Sequence, residues 1–179
     1  MIDIRFVFYM FVFFMAVIGA MRGFAKELLV MFSGILAIFI ILVFESYIGF
    51  FQSFVAESVV TRFWARMVII LLLAFFGYQT PRIKRLQDAA RREKFQDSVL
   101  GIVVGGANAF MVIGSIWFYL KEAGYQNFTY FYEPVAGTAM GDAAIRLVNA
   151  MPVNWPLLDI PLIYFVIAVA FTFVVIVYV

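Results

Sequence analysis

Long apolar runs with few charged side chains constrain this chain more than any other feature of its sequence. The run over residues 4–20 carries a single charge, Arg5, near its start, and a helix needs about 20 apolar residues to cross the hydrocarbon core of a bilayer. Hydrophobic residues make up 66% of the 179 residues and charged residues 13%, whereas a soluble domain is about half apolar and about a quarter charged. The chain is therefore predicted to be an integral membrane protein.

Five such runs predict an all-α, polytopic bundle of five transmembrane helices in a single membrane domain over residues 1–179. The third run is strongly apolar only from Met67 to Tyr78. Its span therefore includes Arg66, whose long side chain is expected to reach the interface. The connection between the first two runs is so short that these spans are expected to form an antiparallel hairpin. The predicted spans are residues 4–20, 28–44, 63–78, 99–120 and 160–179.

Three connections between the spans have distinct compositions. Residues 45–62 mix aromatic and polar side chains, so a short interfacial helix or a loop is expected there. Residues 79–98 hold nearly half of the basic residues. Residues 121–159 contain an apolar stripe at helical spacing, which is typical of an amphipathic helix on a membrane surface. The stripe consists of Ala136, Met140, Ala143, Leu147 and Met151.

The distribution of Lys and Arg predicts the orientation. One side of the membrane, with the N-terminus and residues 45–66 and 121–159, carries five of them, whereas residues 21–27 and 79–98 on the other side carry eight. Cytoplasmic loops have an excess of such residues. The N-terminus is therefore predicted outside, and residues 79–98 and the C-terminus are predicted in the cytoplasm.

The residue types that are missing restrict the chemistry. The chain has no cysteine and no histidine, which removes thiol chemistry, the commonest metal ligand and the commonest general base. No nucleotide-binding, zinc-protease or nucleophile-elbow motif occurs. No catalytic residue, metal site or cofactor site is predicted, and the chain is not expected to be an enzyme. Charged side chains are also missing from the middle of the predicted spans, which counts against ion-coupled transport by this chain alone.

Small residues mark a candidate helix-packing face in the fourth span. Gly101, Gly105 and Ala109 recur every four residues, a spacing that lets two helices approach closely. Gly34 and Ala37 in the second span could form the facing surface. The seam could lie inside one bundle or between two chains.

Two polar features also invite interpretation. Asn108, inside the fourth span, is expected to hydrogen-bond another helix or to line a path for a polar substrate. The 79–98 connection could be a helical cytoplasmic face that binds anionic lipid or a soluble partner, or that only fixes the topology. Acidic residues are interspersed among the basic ones, and no run of aromatic side chains accompanies them to stack on bases, so binding of nucleic acid is not favoured. The basic residues of this face are Arg82, Lys84, Arg85, Arg91, Arg92 and Lys94.

The first hairpin contains a compact motif. Gly23 frees the backbone for the turn, Phe24 can anchor at the interface, and Glu27 favours the N-terminus of the second helix. The alternative is a contact point for a partner or for anionic lipid. The motif consists of Gly19, Arg22, Gly23, Phe24 and Glu27.

Two stretches of the sequence carry a family resemblance. Asp3 opens the first span, and residues 19–27 have the pattern Gly-x-x-x-Gly-Phe-x-x-Glu. After the charged connection, Asp97 and Gly101 begin a second pattern, Asp-x-x-x-Gly, at the start of a glycine-rich span. Both patterns resemble those of the colicin V production protein (CvpA) family of bacterial inner-membrane proteins, and the resemblance covers roughly residues 1–120.

The resemblance implies a cellular location rather than a molecular mechanism. It implies a protein of the bacterial inner membrane that is linked to toxin production or export and to envelope robustness. Ser98 and Asn108 stand where the family often has arginine, Ala109 replaces a frequent glycine, and the fifth span is additional to the usual four.

Three functions are compatible with these features. The first is a non-enzymatic scaffold or transport-associated factor that acts through helix contacts. The second is an accessory subunit of a respiratory or photosynthetic electron-transfer complex that itself binds no redox cofactor. The third is a channel that oligomerises through Gly101 and Gly105. The expected partners are the lipid bilayer and other membrane subunits, with a homo-oligomer as a further option.

Overall fold

A computed structural model describes residues 3–79 and 94–178, and helices make up most of these residues. These residues form seven α-helices and no strand, which confirms the predicted all-α fold. The helices are α1 (Ile4–Arg22), α2 (Phe24–Tyr47), α3 (Gly49–Ala56), α4 (Val59–Tyr78), α5 (Lys94–Ala123), α6 (Ala139–Asn149) and α7 (Leu162–Tyr178).

Four helices, α1, α2, α4 and α5, are long and apolar enough to cross a membrane. Each extends beyond the predicted span that it contains. The Ser58 hydroxyl, for example, accepts a hydrogen bond from the Thr61 N–H, so α4 begins at Val59 and has 20 residues. The predicted fifth span corresponds to α7, which begins after Pro161 and is shorter, with 17 residues.

The longest helix, α5, packs against α1, α2 and α4. Gly19 near the end of α1 touches Gly101 near the start of α5, and the ring of Phe8 lies 4.9 Å from that of Phe110. Helix α1 therefore runs antiparallel to α5. We call the end of the bundle where α1 begins the N-terminal end and the opposite end the Gly23 end.

The predicted helical hairpin is only partly correct. Gly23 alone separates α1 from α2, so the turn is as tight as expected. The two helices nevertheless make few contacts with each other, because α5 packs extensively against α1 and also against α2. The connection that follows α2 contains α3, so the helical alternative for this segment is confirmed.

The predicted amphipathic helix is present as α6, which begins after Thr138, whose hydroxyl accepts the Gly141 N–H. Its buried face lies about one residue later than the predicted stripe, and Met140 is 68% exposed. The Val135 carbonyl lies so close to Gly141 that a side chain at this position would collide with it. The buried residues of α6 are Gly141, Ala144 and Val148.

Candidate functional site

The glycines of the predicted packing face form the contact between α5 and α1. Cβ atoms added to Gly101 and Gly105 would collide with the backbone carbonyls of Gly19 and Met15, respectively. Helices approach this closely where both present very small residues. The seam therefore lies within one chain.

The surface that faces these glycines differs from the predicted one. Gly34 of α2 packs against the side chain of Met111, while Ala37 and Ala109 are fully buried. The facing residues are supplied by α1, because this helix lies along the start of α5. A channel that oligomerises through the two glycines of α5 is incompatible with this packing, since α1 covers them.

Asp97, in the first turn of α5, closes the turn between α1 and α2. Its Oδ1 accepts a hydrogen bond from the Phe24 N–H at 3.0 Å, which satisfies one of the donors that a helix start leaves unpaired. Gly23 has a φ of +87°, and a Cβ there would collide with the Asp97 carboxylate. Ser98 adds a hydrogen bond of 2.9 Å from its Oγ to the Ala20 carbonyl. The two stretches that carry the family resemblance are therefore in direct contact.

An ion pair with a fully buried carboxylate lies in the helices that this turn joins. The Glu27 side chain is 0% exposed, and its Oε1 lies 3.1 Å from Nε of Arg22. Asn108 donates from Nδ2 to Oε2 of Glu27 at 2.8 Å and to the Glu27 carbonyl at 3.0 Å. The Arg22 guanidinium lies over the Tyr78 ring, 4.4 Å from its centre. We call Arg22, Glu27, Tyr78 and Asn108 the Glu27 cluster.

The structure corrects the position of Glu27 and shows the partner of Asn108. Glu27 was expected in the turn outside the second span, but α2 begins at Phe24, so the side chain lies within the helix and is covered by its neighbours. Arg22 balances its charge, and Asn108 supplies a hydrogen bond from another helix. A buried carboxylate is tolerated under these conditions.

A second ion cluster lies at the N-terminal end. The Arg66 guanidinium binds Glu45 through Nε and Nη2, both at 2.7 Å, and binds Glu122 through Nη1. The ring of Tyr119 lies 4.5 Å from the guanidinium carbon. We call Glu45, Arg66, Tyr119 and Glu122 the Arg66 cluster. It joins the end of α2, the first half of α4 and the end of α5.

The sequence analysis expected the Arg66 side chain to reach the membrane interface, and the structure places it between carboxylates at the N-terminal end of the bundle. Its side chain is only 12% exposed, because two carboxylates reach it from neighbouring helices. The sequence contains a signal for this arrangement that was missed. Glu45 and Glu122 each stand just outside a predicted span, and the alternation of spans brings both to the same end of the bundle as Arg66.

The structure describes one residue of the predicted basic face. Arg82, Lys84, Arg85, Arg91 and Arg92 lie outside the described residues. Lys94 is described and is an exposed residue at the start of α5. The roles suggested for this face therefore stay predictions.

Comparisons with known proteins add no assignment. No family model matches the chain, and neither the curated proteins nor the solved structures contain a significant match. Within residues 3–79 and 94–178, no group of three or more acidic side chains is placed to hold a metal ion. The expectations of no enzyme activity and no cofactor remain untested.

Proposed function

We propose that this chain is a non-enzymatic integral membrane protein that acts as a scaffold or transport-associated factor, as its resemblance to the colicin V production family implies. One observation carries this proposal: the buried charges of the Glu27 and Arg66 clusters are paired with partners in the same chain. Such pairs fix helices relative to one another. They do not provide an unpaired ionisable group of the kind that ion-coupled transporters place near the midplane.

The outer surface supports the same proposal. Large apolar side chains are exposed along the membrane-crossing helices, including Phe13 on α1 and Phe75 and Phe76 on α4, each more than half exposed. Lipid or the helices of other membrane proteins can cover these faces. A rigid interior with such a surface suits a protein that works by contact.

We further propose that the protein lies in the bacterial inner membrane with its N-terminus outside and residues 79–98 in the cytoplasm. The support is the excess of basic residues on that side. Because the chain has no native cysteine, single cysteines at Gln87 and Gln126 can report topology. A membrane-impermeant thiol reagent added outside should label Gln126→Cys but not Gln87→Cys. Labelling of both from the same side would contradict this orientation.

A second candidate function is that of an accessory subunit in a large electron-transfer complex. This role is favoured by α7. The helix packs against α2 and against the short turn that precedes α7, but most of the apolar surface of α7 is uncovered. Phe165, Val169 and Ile176 are each about 70% exposed. A helix with so few partners in its own chain is suited to contact a neighbouring subunit.

Extraction in a mild detergent distinguishes the two functions. The mass of the extracted complex is measured, and every protein in it is identified by mass spectrometry. Stable co-purification with redox subunits would support the accessory role and contradict the scaffold of the colicin V type. Co-purification with export or envelope proteins would support the scaffold. A lone monomer would contradict the accessory role.

A further inference from the structure

An apolar cavity of about 620 Å³ lies at the N-terminal end, between α1, α4 and α5. The first turns of α1 and α4 and the last turns of α5 form its walls, and residues 127–131 lie over it. Small-molecule sites commonly have volumes of about 300–1,000 Å³. Its aromatic lining includes Phe8, Phe11, Phe63, Trp64 and Trp117.

A polar cleft of about 200 Å³ adjoins this cavity. Arg62, Arg66 and Glu122 line the cleft, and Phe63 lines both spaces. Arg66 is bound to Glu45 and Glu122, whereas Arg62 is exposed and forms no ion pair with any described residue. An arginine that can accept a new anionic partner therefore stands beside a carboxylate, next to a space suited to a hydrocarbon chain.

We propose that the cavity and the cleft together bind one zwitterionic phospholipid, phosphatidylethanolamine. One acyl chain occupies the apolar cavity, the phosphate binds Arg62, and the ammonium group binds Glu122. Charge balance selects a zwitterionic head group, and a primary ammonium, unlike a quaternary one, can donate hydrogen bonds to Glu122. Glu45 and Glu122 share the single positive charge of Arg66, so the Arg66 cluster keeps one net negative charge beside Arg62. This charge attracts the ammonium group and repels a head group with only negative charge.

The depth of the site agrees with this occupant. The cavity is bounded by the terminal turns of membrane-crossing helices, where acyl chains meet head groups. Trp64, which lines it, is 50% exposed, and Tyr130 over it is 86% exposed. Tryptophan and tyrosine are enriched at this level of the membrane. The site is independent of the proposed scaffold role.

A second cavity provides a matched control. It has a volume of about 610 Å³ and lies between α1, α2, α5, α7 and the segment that precedes α7. Its described lining is equally apolar, but it shares no residue with the polar cleft. A lipid selected by its head group should therefore prefer the first cavity, while unselective hydrocarbon would enter both.

Trp117 can report occupation of the first cavity because it lines the cavity and is only 3% exposed. The chain has three tryptophans, so Trp64→Phe with Trp155→Phe leaves Trp117 alone. This protein is placed in vesicles of equal parts phosphatidylethanolamine and phosphatidylglycerol, with brominated acyl chains on one lipid or on the other. Bromine quenches tryptophan fluorescence at short range. We expect at least about twofold stronger quenching when phosphatidylethanolamine carries the bromine, which corresponds to a small difference in affinity.

Variants test the two parts of the site separately. Ile116→Phe, which fills the first cavity, should remove most of the quenching, while Val103→Phe in the second cavity should not. Arg62→Gln should abolish the preference between the lipids, and Arg146→Gln, at another exposed arginine, should preserve it. An unchanged emission maximum without bromine verifies folding. Equal quenching by both lipids, or full quenching in Ile116→Phe, would rule out the site.

Discussion

The two ion clusters perform a similar task under different conditions. In the Glu27 cluster, the carboxylate is 0% exposed, and its partners come from the end of α1 and the middle of α5. In the Arg66 cluster, the guanidinium is 12% exposed, and its carboxylate partners are 20% and 47% exposed. Water can therefore replace a lost partner in the second cluster far more easily than in the first. The Glu27 cluster should contribute more to the stability of the bundle.

Glu27→Ala should have the largest effect. It leaves Asn108 without its partner in the interior and Arg22, which is 19% exposed, without its counter-ion. Breaking a buried ion pair costs about 3–5 kcal/mol of unfolding free energy. SDS-induced unfolding in mixed micelles measures the change. Glu57→Ala, at an exposed acid next to α3, should change the free energy by no more than about 0.5 kcal/mol. Equal effects of the two variants would contradict the burial of Glu27.

Arg66→Ala should lower the unfolding free energy by about 2 kcal/mol, because it removes hydrogen bonds to charged groups. The effect is smaller than that of Glu27→Ala because both carboxylates keep some access to water. The same unfolding measurement applies, with Arg146→Ala at an exposed position of α6 as the control. If Arg66→Ala destabilised the protein more than Glu27→Ala, the ranking of the two clusters would be reversed.

Gly101→Ala tests the close contact at the Gly23 end. The added methyl group collides with the Gly19 carbonyl, and overpacking of this kind costs about 1–3 kcal/mol. Gly106→Ala is a matched control on the same helix, because its Cβ would lie 4.0 Å from Ala16. That variant should be neutral or slightly stabilising, since alanine favours helix more than glycine does. Similar losses in both variants would argue against the seam.

Glu122→Gln should have the smallest effect. Glu122 is 47% exposed, and exposed ion pairs contribute about 0.2–1 kcal/mol. The bidentate contact between Arg66 and Glu45 remains in this variant. If Glu122→Gln lowered the unfolding free energy as much as Arg66→Ala, Glu122 would be less accessible to water than its exposed fraction indicates.

The sequence predicts the helices well because apolar runs act locally. Four of the predicted spans lie within the four long helices, and the small-residue face of Gly101, Gly105 and Ala109 is buried as expected. The pattern of apolar residues does not show which distant segments contact each other. The glycines of α5 meet α1 rather than α2, and Asn108 meets a carboxylate 81 residues away.

Two further differences have a local physical origin. Hydropathy locates the apolar middle of a helix but not its ends, which depend on caps and turns. Glu27 was therefore assigned to a turn although the helix starts at Phe24. The buried face of α6 lies about one residue from the predicted stripe and includes Gly141. The Val135 carbonyl leaves no room for a side chain at Gly141, and hydrophobic periodicity does not reveal such a contact.

The central claim is that the Glu27 cluster stabilises the packing of α1 and α2 against α5. A double-mutant cycle of Glu27→Ala and Asn108→Ala tests it most directly, since the cycle isolates the energy shared by the two side chains. The unfolding free energies of the four proteins should give a coupling of about 0.6–1.7 kcal/mol, from the average to the maximum that such cycles give for hydrogen bonds between membrane helices. A coupling indistinguishable from zero would contradict the claim.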